Sequence, residues 1–205
     1  MASKTSTKQL SYWTGKFGNE YIKRNSDMDF FAKRKNFFKK LLLQYPDIKS
    51  ILEIGCNIGG NLMVLYELDP SLEIVGIEPN KKAAKIARKN LPTAKILEEN
   101  VFDIDFNERF NLVFTCGVLI HVADGDLENA LAKIYNASKK YILAIEYYSD
   151  KKSTIPYRGL SDALFRRPYD KEYLSLFPGL KIIREGFLNK SQGFDNCKFW
   201  VFKKR

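Results

Sequence analysis

Along most of the chain, short apolar runs alternate with stretches whose apolar residues recur every three or four positions. The runs SILEI (50–54), LEIVGIE (72–78), TAKILEE (93–99), FNLVFTC (110–116) and KKYILAIEYY (139–148) are short and β-branched, as strands buried on both faces are. Between them, GNLMVLYEL (60–68), NKKAAKIARKNL (80–91) and GDLENALAKIYNAS (125–138) carry helical periodicity. This alternation predicts an α/β fold: a parallel sheet with helices on both faces. Two last runs, LKIIREGFL (180–188) and NCKFWVFKK (196–204), flank the turn-rich NKSQGFDN. Nothing helical fits between them, so they should pair antiparallel at the sheet edge. Helical periodicity also fills YWTGKFGNEYIKRNS (12–26) and MDFFAKRKNFFKKLLLQY (28–45) before the first strand. Asp124 or Asp126 is placed to cap the helix beyond His121.

The length of 205 residues and the 45% hydrophobic content suit one domain, 8–205, behind a loose polar tail, MASKTST. The tail lacks the apolar stretch of a signal peptide, and no run reaches membrane-spanning length, so a soluble, cytoplasmic protein is expected. Cys56, Cys116 and Cys197 are odd in number and form no C-x-x-C pair, which argues against a disulfide framework or a zinc site. The net charge of +10 suits nucleic acid, anionic membranes or acidic small molecules, but the charge is dispersed in short clusters.

Chemistry concentrates at strand ends. ILEIGCNIGGN (51–61) is a strand entering a Gly-rich turn and then a helix, which places a ligand at the carboxyl edge of the sheet. A dinucleotide site wants G-x-G-x-x-G, yet Asn57 stands where the second glycine should be and would obstruct a pyrophosphate. The spacing instead suits a ligand without phosphates. Glu53 fixes the turn, Gly55 admits the ligand, and Gly59 and Gly60 let the helix start close by. Glu78, at the end of the next strand, can accept both hydroxyls of a ribose. Asn100, with the Val101 N–H beside it, can read an adenine edge. A nucleoside without phosphates beside a Gly-rich turn points to S-adenosylmethionine.

The core, residues 50–146, resembles the class I S-adenosylmethionine-dependent methyltransferases. LEIGCNIGG, GIEPN, ENVFD and LVFTCGVLIHV match four of their motifs in order. The resemblance implies a Rossmann-like seven-stranded sheet of order 3-2-1-4-5-7-6 with strand 7 antiparallel, an N-terminal helical lid over 8–46, and an acceptor-side segment with a C-terminal β-hairpin over 147–205. It also implies a cofactor set of Trp13, Arg24, Glu53, Gly55, Cys56, Asn57, Gly60, Glu78, Pro79, Asn100, Val101, Cys116 and Gly117, with Arg24 on the cofactor carboxylate and S-adenosylhomocysteine as product. A narrower similarity, carried by YWTGKFGNEYIKRN, CGVLIHV, YILAIEYY and IPYRGLSDALFRR, is to the methylases associated with pseudaminic acid biosynthesis. It implies a small-molecule acceptor, an amino sugar, sialic-acid-like sugar or sugar nucleotide of surface-glycan biosynthesis, with acidic character. A homodimer is allowed for, and no membrane partner or metal is expected.

His121 is the single histidine, at the edge where acceptor and cofactor would meet. It can serve as a general base or as structural support, and it lacks the companions of a metal ligand. Glu146 and Tyr148 complete the catalytic candidates. Tyr21, Tyr147, Tyr157, Arg158 and Arg166 are candidates for the acceptor, and Arg167 offers a further cation for bidentate binding. Two rival functions remain. A nucleic-acid methyltransferase would suit the charge, but Thr115-Cys116-Gly117-Val118 replaces the N/D-P-P-Y/F signature. The other rival is a non-catalytic S-adenosylmethionine-binding partner protein. An NAD-dependent oxidoreductase is disfavoured by Asn57.

Overall fold

Successive residues of a strand point to opposite faces, so a strand buried on both sides feeds two cores. In the computed structural model, which describes residues 5–205, the strands are β1 (Ser50–Ile54), β2 (Glu73–Ile77), β3 (Lys95–Leu97), β4 (Phe110–Cys116), β5 (Ser138–Glu146), β6 (Ser153–Tyr157), β7 (Leu160–Arg166), β8 (Lys181–Leu188) and β9 (Cys197–Lys203). Seven of them form one sheet of order β3-β2-β1-β4-β5-β9-β8, parallel through β5, with β9 antiparallel to both neighbours. This is the expected order, with the numbering advanced by a separate β6–β7 hairpin.

Alternation runs along the central strands, broken in β4 by the irregularity between Phe110 and Leu112. Ile51, Leu112, Phe114, Leu143 and Val201 join one core, under α4 (Lys35–Gln44), α5 (Gly60–Leu68) and α6 (Lys81–Asn90). Leu52, Val113, Ile142, Trp200 and Phe202 join the other, under α7 (Asp124–Ala137) and α8 (Tyr169–Leu176). Burying both faces removes a large apolar area from water, the main driving force for this layered arrangement.

The N-terminal segment differs from the two long helical stretches expected. It breaks into α1 (Lys8–Thr14), α2 (Lys16–Arg24), α3 (Met28–Ala32) and then α4. Gly15 separates the first pair, and the Asp27 carboxylate caps α3 by accepting from the Asp29 and Phe30 N–H groups. Residues 1–4 of the expected tail lie outside the described residues. Thr7 caps α1, and the Thr5 N–H donates to Asp103 at 3.0 Å, so these residues are tied to the body. Neither Asp124 nor Asp126 caps α7. Ala123 holds that position, and both acids sit in the first turn, where they complement the helix dipole.

IPYRGLSDALFRR (155–167) supplies most of the β6–β7 hairpin and ends on Arg167, one residue past it. Tyr157 pairs with Leu160 around Arg158 and Gly159, whose φ values of 49° and 84° make the tight turn that suits strand twist. Arg167 is 1% exposed, donates to the Val122 carbonyl and pairs with Asp124 at 2.8 Å. It is a buried anchor for the loop after His121, not a clamp for an acceptor.

Arg34 ties three distant parts of the chain together. Its Nε donates to the Gly193 carbonyl and its Nη1 to Asn61 Oδ1, both at 2.6 Å, while its guanidinium carbon lies 4.7 Å from the ring centres of Phe31 and Phe194. Arg34→Ala leaves two buried acceptors without a donor and should cost about 2–4 kcal/mol of stability. Arg34→Lys keeps the charge but loses the planar fork and should recover only part of it. Urea unfolding with an unchanged m-value measures both. A loss under about 1 kcal/mol for the alanine variant would show that this junction is dispensable.

Candidate active site

A cavity of about 620 Å³ opens at the carboxyl ends of β1, β2, β4 and β5. Its roof comes from α1 and α2, and its far side from the β6–β7 turn and the β8–β9 connection. Gly55 lines it with φ +73°, and a Cβ there would stand 2.6 Å from Val118 Cγ2. Only glycine fits that approach. The Asn57 N–H donates to Glu78 Oε2 at 2.9 Å and the Asn80 N–H to Oε1 at 2.8 Å. Each carboxylate oxygen of Glu78 therefore keeps a lone pair for a ligand. Glu78 is 8% exposed, and burial pushes its pKa up to about 7 against those two bonds.

Glu53 is more deeply placed. Asn61 Nδ2 donates to its Oε1 at 2.6 Å, while Oε2 has no hydrogen-bond partner among the described residues. Burial raises its pKa to about 8, opposed by Asn61 and Arg34 and reinforced by Glu78. Cys56, Asn57, Pro79, Val101, Cys116 and Gly117 also line the cavity. Asn100 lines it too, but its amide is engaged: Oδ1 accepts from the Phe102 N–H, and Nδ2 donates to Asp103 at 2.7 Å and to the Thr5 carbonyl. The edge-reading role expected of its side chain is thus already taken by protein groups. Gly60 does not line the cavity. The Phe31 ring occupies its flank, 2.4 Å from where a Cβ would be, so this glycine serves packing between α3 and α5.

Trp13 forms the roof. Its carbonyl accepts from Asn80 Nδ2 at 2.8 Å, and its ring lies 4.3 Å from that of His121. Arg24 reaches the mouth but is exposed. Arg34 was not singled out from sequence, yet it lines the cavity in a buried position beside Cys116, and no protein partner is found for its Nη2 among the described residues. Its signal was only a cation inside a helical run of phenylalanines, which reads equally well as a solvated face.

His121 ends a 3-10 turn, Leu119–His121, just past β4. Its Nδ1 lies 2.5 Å from the Ala163 carbonyl in β7, so Nδ1 carries the proton and Nε2 a lone pair. Burial lowers the ring pKa to about 4, against the raising effect of that bond. Helix α1 clasps the same hairpin: Lys8 pairs with Asp162 at 2.7 Å, Tyr12 donates to the same carboxylate, and Gln9 donates to its carbonyl.

Alternation along β5 sorts the neighbouring candidates. Ile145 and Tyr147 line the cavity, whereas Glu146 and Tyr148 turn to the opposite face. Glu146 is fully buried and accepts from the Val118 and Ile120 N–H groups, so it holds the His121 turn from behind. Tyr148 donates to Asp150 and packs on Trp200, outside the cavity. The catalytic roles expected for these two residues therefore find no support in their placement. Tyr21, Tyr157 and Arg158 line the cavity with Tyr147. Arg166 does not; it is exposed at the end of β7, 5.9 Å from the Tyr147 ring centre.

Residues 51–140 match a methyltransferase domain family. The trans-aconitate 2-methyltransferase of Rhodopseudomonas palustris (strain BisB5) is 29% identical over 76 residues, covering 36% of this chain and 30% of that protein. The match thus spans less than a third of the curated relative. Among solved structures, the Burkholderia thailandensis 1,6-didemethyltoxoflavin N1-methyltransferase, with its substrate and S-adenosylhomocysteine bound, superposes at a TM-score of 0.75. It is 12% identical, over 100% of this chain and 93% of that one. A sugar N-methyltransferase from Streptoalloteichus sp ATCC 53650 gives 0.67 at 16% identity, over 100% and 99%. The fold is that of the Rossmann-like methyltransferases. Among the described residues no cluster of His, Cys, Asp and Glu could hold a metal ion, and no helix is long and apolar enough to cross a membrane.

The buried acids and the histidine give opposite pH dependences. The fold keeps His121 neutral down to about 4 while the unfolded chain protonates near 6.5. It therefore costs no stability above 6.5 and progressively more as pH falls to 4. Glu53, Glu78 and Glu146 have folded values of about 8, 7 and 7, above the ordinary 4.5. Their contribution is complete below 4.5 and is lost as pH rises through 7–8. An NMR titration of the single imidazole should show a midpoint near 4; a midpoint at 6.5 would mean that the ring is solvated.

Proposed function

We propose that this chain, acting in the cytoplasm, transfers a methyl group from S-adenosylmethionine to a nitrogen or oxygen of a small molecule. The acceptor we propose is an amino sugar, a sialic-acid-like sugar or a sugar nucleotide used in surface glycans, as in the pseudaminic acid-associated methylases that its flanking motifs resemble. One observation carries the reading. Glu78 stands at a strand end with both oxygens braced by backbone N–H groups and a lone pair left on each, beside a glycine that no side chain could replace. That pairing suits a ribose diol lying against a bare turn.

The remaining groups fit the same ligand. Glu53, with an unpartnered oxygen in the cavity wall, suits the ammonium of the methionine part, and Arg34 Nη2, with Arg24 at the mouth, suits its carboxylate. The bound sulfonium supplies an electrophilic methyl carbon with a leaving group already in place. What the protein must add is alignment and exclusion of water. Trp13, clasped with α1 onto the hairpin, closes the roof. His121, fixed as the Nδ1–H tautomer by Ala163, presents Nε2 as an acceptor for the nucleophile's proton. A sugar acceptor is supported by the likeness to the sugar N-methyltransferase along the full length of both chains. The roofed cavity and the absent N/D-P-P-Y/F signature weigh against nucleic acid.

Glu78→Ala should weaken S-adenosylhomocysteine binding by about 1–3 kcal/mol, the worth of hydrogen bonds to a charged group. Unchanged calorimetric affinity in the folded variant would falsify the ribose assignment. His121→Asn should leave that affinity intact and lower kcat by about 10²-fold or more. A lower Tm with unchanged kcat would make His121 a structural residue instead. Transfer of label from S-adenosylmethionine into sugar-nucleotide fractions, read by mass spectrometry, separates an enzyme from a binding protein.

A further inference from the structure

Three phenols and one carboxylate share the acceptor end of the cavity. Tyr147 Oη donates to Asp195 Oδ2 at 3.0 Å, and both residues line the wall with Tyr21 and Tyr157. Asp195, in the β8–β9 connection, was no candidate from sequence, because NKSQGFDN reads simply as a turn. Tyr157 and Asp195 lie close enough to act on the ionisation of Tyr21 and Tyr147. Burial first, then Tyr157 and Cys116, push the Tyr21 phenol up, with Asp195 adding to the effect and Arg34 opposing it. Burial first, then Asp195, Tyr21 and Tyr157, push up Tyr147.

The arginines near this end do not form a carboxylate clamp. Arg24, Arg158 and Arg166 each sit by a different ring of the set, 6.0 Å from the Tyr21 centre, 5.9 Å from Tyr157 and 5.9 Å from Tyr147. Phenol oxygens, aromatic rings and the Asp195 carboxylate face the cavity at this end, beside Arg158 and Lys190, which also line it. The phenol and carboxylate oxygens among them accept N–H donors, and the Asp195 carboxylate, held by Tyr147, draws positive charge on nitrogen.

We infer that the acceptor is an amine seated among Tyr21, Tyr147, Tyr157 and Asp195, and that the reaction is N-methylation. The inference rests on the methyl transfer proposed above and selects between its two atoms. The amine lone pair forms the new C–N bond as the C–S bond breaks. The electron pair of that bond goes to sulfur, which leaves as a neutral thioether. Positive charge passes from sulfur to nitrogen, and the surplus proton on nitrogen passes to His121 Nε2 and from there to water. Asp195 and the rings stand where that charge develops, so they stabilise the transition state more than the neutral amine. A carboxylate acceptor would meet repulsion from Asp195 at the same place.

The test uses the full chain. Calorimetry with S-adenosylhomocysteine comes first, and a small-molecule cell extract is then split on a cation exchanger into amine-bearing and amine-free pools. With labelled S-adenosylmethionine, label should enter only the amine pool, in products stable to mild alkali. Asp195→Asn should lower kcat/KM for the purified acceptor at least ~10-fold, with S-adenosylhomocysteine affinity unchanged and partial recovery in Asp195→Glu. Transfer into the amine-free pool, an alkali-labile ester, or equal kinetics in Asp195→Asn overturns the inference while methyl transfer stands. Cofactor binding without transfer to either pool overturns it too. Absence of cofactor binding overturns the function proposed above, and this inference with it.

Discussion

A single buried guanidinium joins the parts from which the cavity is built. Arg34 belongs to the N-terminal helices, Asn61 to α5 behind the Gly-rich turn, and Gly193 to the loop between the last two strands. The roof has its own ties, from Asn80 to the Trp13 carbonyl and from Gln9 and Lys8 to Asp162, but the exposed ion pair among them is worth little in water. A buried cation is costly unless its donors are used, and Arg34 spends Nε and Nη1 on the fold and the faces of aromatic rings on its charge. Its remaining nitrogen is left for the cavity. In the function proposed above, structure and recognition meet in this one side chain.

The same economy governs the turn after β4. Glu146 has no route to the cavity, yet its carboxylate receives the N–H groups of the turn that delivers His121. From the other side Ala163 fixes the ring, and Arg167 secures the next loop through the Val122 carbonyl. His121 is thus gripped by backbone and buried charge on three sides. That precision is what the proton-accepting role proposed for His121 requires.

Most of the scaffold was legible in the sequence because both-face burial writes itself as short β-branched runs. The strand-end residues Gly55, Glu78 and Cys116 could be placed for the same reason: a parallel sheet gathers its carboxyl ends on one edge. Tyr148 and Glu146 were misplaced although the signal existed, since alternation along KKYILAIEYY puts residues 145 and 147 on one face and residues 146 and 148 on the other. Arg34 and Asp195 had no such signal. Each acts through partners more than twenty positions away, and no local period encodes those contacts. The β6–β7 hairpin was hidden because its tight turn uses Arg-Gly, where the commoner cue is Asn-Gly.

The strand order carries a temporal consequence. β9 lies between β5 and β8, so the strand of this sheet that comes latest in sequence is an interior one. Until it inserts, β5 presents a bare edge and the second core lacks Trp200 and Phe202. During synthesis the growing chain must therefore hold an unfinished sheet, with the β5 edge unpaired, until residues beyond 197 emerge. The final insertion joins segments far apart in sequence, which makes it a slow, late step of folding. A chaperone acting on this protein would find its target along β5.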